Sequence, residues 1–152
     1  MPTIKVTHQF PYPADQVYRL AKEVERFPQF MEDLDKVEVL ERDASGPTLT
    51  RWSGRVQIAS LTRELVWTER DRWDDGELTC SFEMEQGDLK SYRGVWRFRS
   101  HDGACLSELE VNFELGIPML GPLVEQLVAD RLRENLTQLM KALESLCQAE
   151  LG

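Results

Sequence analysis

The chain has 152 residues, 41% of them hydrophobic and 30% charged, with a formal net charge of −9. That length suffices for one domain, spanning residues 1–152, with a substantial core. The acidic balance argues against a general phosphate-backbone binder, which needs clustered Lys and Arg, so no nucleic-acid partner is expected.

No stretch approaches the roughly 20 apolar residues of a membrane span. Met1-Pro2-Thr3-Ile4-Lys5-Val6 lacks an apolar signal core. A cytoplasmic protein without a transmembrane segment is therefore expected. Cys80, Cys105 and Cys147 are widely spaced and form no Cys-x-x-Cys pair, which predicts reduced structural thiols.

In chain order, Thr3 to Phe10 alternates with Ile4, Val6, His8 and Phe10 on one side, the mark of a strand with one buried face. Pro11-Tyr12-Pro13 ends it. Ala14 to Val24 reads as a helix with Val17, Leu20, Ala21 and Val24 inward. Pro28 then bends a second short helical piece over Glu25 to Met31. From Lys36 onward the period is two: strands are predicted over Lys36 to Arg42, Thr48 to Ile58, Leu61 to Trp73, Glu77 to Gln86, Leu89 to Ser100 and Ala104 to Leu115. Turn signals separate them, including Asp74-Asp75-Gly76 and His101-Asp102-Gly103. From Leu123 to Leu146 there is no Pro or Gly. Leu123, Val124, Leu127, Val128, Leu132, Leu136, Leu139, Met140, Leu143 and Leu146 fall in steps of three and four, one face of a long helix.

The order β-α-α-β-β-β-β-β-β-α predicts an α+β fold: a curved antiparallel meander whose apolar face wraps the C-terminal helix. Gly54, Gly94, Cys80 and Thr68 are small residues assigned to the inner face, where they leave room. The expected outcome is either a packed interior or an apolar cavity open at one end, and such cavities are the default ligand sites.

Three segments resemble the polyketide cyclase/dehydrase and coenzyme-Q-binding-protein-like family of the START-like helix-grip superfamily. They are Val24-Glu25-Arg26-Phe27-Pro28-Gln29-Phe30, the Tyr92-Arg93-Gly94-Val95-Trp96-Arg97-Phe98 strand after Gly87, and Gly116-Ile117-Pro118-Met119-Leu120-Gly121-Pro122-Leu123. The resemblance implies the helix-grip fold and a small hydrophobic ligand (a lipid, quinone or polyketide-like compound) between sheet and helix. It equally admits an aromatase/cyclase or dehydrase, or a ribosome-associated interaction protein. Matched without gaps from Trp96, Arg70 falls at the position of the aromatase/cyclase arginine that projects into the cavity, with Thr68, Glu64 and Val66 on its face. Phe27 matches the aromatic at the helix bend. Met31 and Leu34 replace two further aromatics, and Glu64 and Val66 replace two Trp. The candidate ligand-binding set is Phe27, Met31, Leu34, Glu64, Val66, Thr68, Phe82, Met84, Tyr92, Trp96, Met119 and Leu127, with Arg70 as candidate catalytic residue.

A guanidinium in an apolar cavity stays charged and can bind a carboxylate, a phosphate or a developing enolate oxygen. The alternative is an ion pair of Arg70 with Glu64, Glu69 or Glu83. Glu64 can act as a base only if buried with a raised pKa. Ile117, Met119 and Leu120 are candidates for a gate at the cavity mouth, a lipid contact or a core cap. His8 reads as a core or rim residue and His101 as solvated. No metal-ligand cluster, Gly-x-Gly-x-x-Gly, Walker loop or Gly-x-Ser-x-Gly elbow occurs, so neither metal nor cofactor is expected. Arg93, Arg97 and Arg99 form a same-face stripe that reads as solvated outer surface paired with Glu. The sequence carries no clear dimer signal.

Overall fold

A computed structural model describes residues 2–42, 47–58, 60–115 and 122–152. Seven strands form one antiparallel sheet: β1 (Thr3–Phe10), β2 (Leu34–Glu41), β3 (Thr48–Ile58), β4 (Leu61–Asp74), β5 (Thr79–Gln86), β6 (Ser91–His101) and β7 (Ala104–Glu114). Their spatial order is β1-β7-β6-β5-β4-β3-β2, so β2 to β7 are a meander and β1 adds to its far edge beside β7. Helix α1 (Ala14–Ala21) and a 3-10 helix (Val24–Gln29) cross from β1 to β2, and α2 (Pro122–Leu151) lies against the concave face. This is the helix-grip arrangement expected from the pattern.

Local chemistry accounts for the boundaries. Pro11 and Pro13 lack the amide hydrogen a ladder requires, so β1 stops at Phe10. Gln16 and Val17 both donate their amides to the Pro13 carbonyl at 3.1 Å, which starts α1. The helical pattern expected to reach Val24 breaks after Ala21, and Pro28 sits inside the 3-10 helix that follows. The β4–β5 turn is longer than Asp74-Asp75-Gly76 alone. Asp74 Oδ1 accepts from the Gly76 and Glu77 amides at 3.0 Å each, and Leu78 has φ of 54°. That left-handed residue delays β5 to Thr79 instead of Glu77. Asp102 and Gly103 both have positive φ, as a two-residue hairpin with a primed turn demands.

The inner face is dense at the β1, β6 and β7 end. Ile4, Phe10, Leu109, Val111 and Phe113 pack there with Met140, Leu143 and Leu146 of α2, all at 1% exposure or less. Tyr18 of α1 packs edge-on against Trp73 and Phe98, and its hydroxyl donates to Asp75 at 2.7 Å. His8 lies at the rim of this core, with Nε2 3.0 Å from Glu144 Oε1. Cys80, Cys105 and Cys147 are buried free thiols, and burial pushes all three pKa values up. Toward β3, β4 and β5 the N-terminal half of α2 is only partly covered: Leu132 and Leu139 are half-buried, whereas Leu136 is buried. Between that half and the sheet lies a cavity.

Candidate functional site

The cavity holds about 180 Å³. Its walls come from the 3-10 helix and the following loop, from β3 to β6, and from Leu132, Asn135, Leu136 and Leu139 of α2. Two glycines shape it. A Cβ on Gly54 would stand 2.6 Å from the Asp33 carbonyl, so the β3 backbone approaches that loop as only glycine permits. A Cβ on Gly94 would collide with the Phe82 ring and the Glu110 carbonyl, so the missing side chain lets Phe82 lie across β6.

Aromatic rings make much of the wall. Trp52 and Trp67, directly opposite one another on β3 and β4, stack with centroids 5.9 Å apart and planes 9° from parallel. Trp73, Trp96, Phe82 and Tyr92 complete the aromatic lining. Phe27 does not touch the cavity. It is fully buried behind it, packed against Trp52 and Trp96 at centroid distances of 6.5 and 6.4 Å.

Set into this apolar wall is a pair of acids. Glu69 and Asp71 lie two residues apart on β4, on the face shared with Trp67 and Trp73, and are 6% and 3% exposed. The Trp67 indole N–H donates to Glu69 Oε1 at 2.9 Å. Trp52 Nε1 donates to Thr50 Oγ1 at 2.9 Å, and Thr50 Oγ1 in turn donates to Asp71 Oδ2 at 2.7 Å. The two carboxyls lie close enough for one, when protonated, to donate to the other. Each carboxyl thus has one donor from outside the pair, the Trp67 indole for Glu69 and the Thr50 hydroxyl for Asp71. Burial, followed by the charge and hydrogen bond of Asp71, raises the pKa of Glu69 well above the usual carboxylate range. Burial also raises that of Asp71, opposed by the hydrogen bonds from Glu69 and Thr50. The nearest cation on the cavity wall, Arg55, is engaged by the Glu32 carbonyl at 2.8 Å and by Asp35 at 3.2 Å.

Of the residues singled out in the sequence, Met31, Leu34, Phe82, Met84, Tyr92 and Trp96 line the cavity, and Val66 stands at its rim, 55% exposed. Five of the expected site residues, Phe27, Glu64, Thr68, Arg70 and Leu127, do not line the cavity. Arg70, Thr68 and Glu64 belong to the outward-facing set of β4, because Trp67 and Trp73 claim the inner face and side chains alternate along a strand. Arg70 is paired on the outer surface with Glu85 at 2.6 Å and Glu41 at 3.7 Å, a different pair of acids from the three considered. Leu127 is 45% exposed, since Val128 and Leu132 supply the helix seam there. Met119 and the rest of the expected gate lie outside the described residues. The outer stripe behaves in part as expected: Arg97 pairs with Glu108 at 3.3 Å and Glu110 at 3.5 Å.

Sequence reasoning missed Glu69, Asp71, Trp67 and Thr50. A signal for them existed. Trp67 and Trp73 share the parity of Glu69 and Asp71, and two large indoles on one strand face outweigh the arginines on the other when the buried side is assigned. As a check, Arg70→Ala should leave the thermal midpoint within about 3 °C of wild type, as for an exposed ion pair. It should also leave the affinity of any cavity ligand unchanged, read by calorimetric titration.

Known proteins share this fold. The family model described as "Polyketide cyclase / dehydrase and lipid transport" matches residues 10–140. The chain belongs to that family. Ribosome association toxin RatA of Pseudomonas aeruginosa is 31% identical over 121 residues, covering 76% of this chain and 80% of the relative. RatA of Escherichia coli K12 is 26% identical over 115 residues, covering 75% and 69%. Among solved structures, TTHA0849 from Thermus thermophilus superposes with a TM-score of 0.89 at 30% identity, over 99% of this chain and 100% of that one. The Zhui aromatase/cyclase of Streptomyces sp. R1128 gives 0.86 at 18% identity over 99% and 96%, a likeness of fold alone. Among the described residues no helix is long and apolar enough to cross a membrane.

Proposed function

We propose that this chain binds a small, mostly hydrophobic molecule in the cavity between the sheet and α2. The observation that carries the reading is the cavity itself: about 180 Å³, walled by indoles, Phe82, Leu and Met side chains. An apolar cavity of roughly 150 Å³ accommodates a benzene-sized ring, so the size class is a one- or two-ring compound or a short lipid segment. The family's description, which joins cyclase/dehydrase and lipid transport, supports the same class of ligand.

The test uses the purified protein and 1-naphthylamine, a two-ring fluorophore that is neutral at pH 7 and excited by energy transfer from the cavity tryptophans. Saturable binding is expected in wild type. Leu132→Trp, which fills the cavity from a half-buried helix position, is expected to weaken it at least tenfold without changing the circular dichroism. Equal binding by the two proteins would place the fluorophore elsewhere and overturn the reading. Native mass spectrometry followed by organic extraction then identifies any molecule carried from the cell.

A second reading is favoured by the relatives named ribosome association toxin: association with ribosomal particles. On the outer sheet face Arg72 and Arg93 line a groove and have no carboxylate partner among the described residues, though Glu83 and Glu85 flank them. Co-sedimentation with ribosomal subunits that is lost in Arg72→Glu/Arg93→Glu would support it. Absence of the wild-type protein from the particle fractions would remove it.

A further inference from the structure

We propose that the molecule this cavity selects carries a protonated amine, held by the Glu69–Asp71 pair and surrounded by the faces of the neighbouring aromatic rings. The inference rests on the hydrophobic-ligand reading and adds the chemistry of the ligand's polar end.

Three independent features point the same way. The first is charge. Two buried carboxyls lie on the cavity wall, and their donors from outside the pair are neutral groups alone, the Thr50 hydroxyl and the Trp67 indole. A buried charge without a counter-ion is costly, and in a low-dielectric pocket its attraction for an entering cation is strong. The Arg55 guanidinium does not supply that counter-charge, since the Glu32 carbonyl and Asp35 hold it at the mouth.

The second feature is the Tyr92 hydroxyl. The ring lines the cavity, partly buried, with its phenol on the side of Glu69. An alkylammonium that donates to Asp71 can donate to the Tyr92 oxygen as well.

The third is the ring set. Trp67, Trp73 and Trp96 line the same cavity as the acids, and Trp67 is bonded to one of them. Indole faces attract alkylammonium groups, worth about 2 kcal/mol or more when desolvated. A hydrocarbon chain would bury these acids with no gain from either of them.

The deciding experiment compares N,N-dimethylbenzylamine, protonated at neutral pH, with isobutylbenzene, its neutral carbon isostere. Each competes against 1-naphthylamine in the full chain. Wild type is expected to bind the amine at least tenfold more tightly. In Glu69→Gln/Asp71→Asn the preference should fall to parity, with isobutylbenzene affinity retained. Tyr92→Phe should weaken the amine severalfold and leave isobutylbenzene unchanged. An amine bound no more tightly than isobutylbenzene by wild type, or a preference that survives the double substitution, overturns the assignment. The first of these outcomes decides even if the double variant does not fold. If isobutylbenzene and the fluorophore bind while the amine shows no advantage, only this inference fails. If no probe binds, the hydrophobic-ligand reading fails with it.

Discussion

Phe27→Ala is expected to destabilise the protein by about 3–5 kcal/mol, the range for truncating a fully buried Phe. For a chain of this size that corresponds to a fall in the thermal midpoint on the order of 10 °C. The ring has no exposed surface and is packed against both Trp52 and Trp96. Its backbone is held in a 3-10 helix by Pro28 on one side and by the Phe30 amide, which donates to the Phe27 carbonyl at 2.9 Å, on the other. The segment has little freedom to collapse into the space left behind. Both indoles would also lose the surface that fixes their orientation, and those indoles are the cavity wall. The variant should therefore show two effects together: a lower urea midpoint, and weaker binding of any ligand that depends on the placement of Trp52 and Trp96. Phe27→Leu, which leaves most of the apolar volume, should cost clearly less in both. A loss below about 1 kcal/mol in Phe27→Ala would mean that the wall repacks freely and that the cavity has no fixed shape.

The fold was legible because its two periodicities are clean. Alternation on β5, β6 and β7 sets Cys80, Phe82, Trp96, Phe98, Leu109 and Val111 unambiguously inward, and the heptad-like steps of α2 require a broad apolar partner. Those contrasts are between apolar and charged side chains, and burial follows them directly. Thr68 to Arg72 on β4 offers no such contrast: its residues are polar or charged on both faces. There the choice between faces turns on hydrogen-bond partners that sit on other residues, namely Trp67 for Glu69 and Thr50 for Asp71. Two acids are tolerated inside because two indoles and a threonine hydroxyl satisfy them, a fact of three-dimensional register. Aligning the strand from Trp96 put Arg70 on the inner face and missed this. The bulge between Thr68 and Glu69 in the β4–β5 pairing shows how such an inference along the sheet loses count. Cavity size was illegible for a related reason. It depends on close backbone approaches at Gly54 and Gly94, and a glycine in a sequence does not say what it approaches.

Glu69→Gln is expected to make the protein at least as stable as wild type at pH 7 and more stable above it, even though the residue is buried and hydrogen-bonded. The sign follows from proton linkage. Glu69 has its pKa raised in the folded protein, first by burial and then by Asp71, so the folded chain holds a proton that the unfolded chain releases. The stability this proton confers is complete below the ordinary carboxylate range. It declines as pH rises from the unfolded pKa through the raised folded one, at up to about 1.4 kcal/mol per pH unit for one proton. Asp71, raised as well, adds to the same trend at the lower end of that window. The Gln amide can donate to Asp71 as the Glu69 acid does, and its carbonyl can still accept from the Trp67 indole. The network is kept while the titration is removed. Urea unfolding from pH 5 to pH 9 should therefore show wild type losing stability relative to the variant as pH rises, with the difference levelling off once the folded pair titrates. A variant that is less stable at alkaline pH, or parallel profiles for the two proteins, would mean that the acids share no proton. The experiment thus reads the protonation of the buried pair without any ligand, and a pair able to ionise is what makes these acids a recognition element instead of a neutral patch of wall.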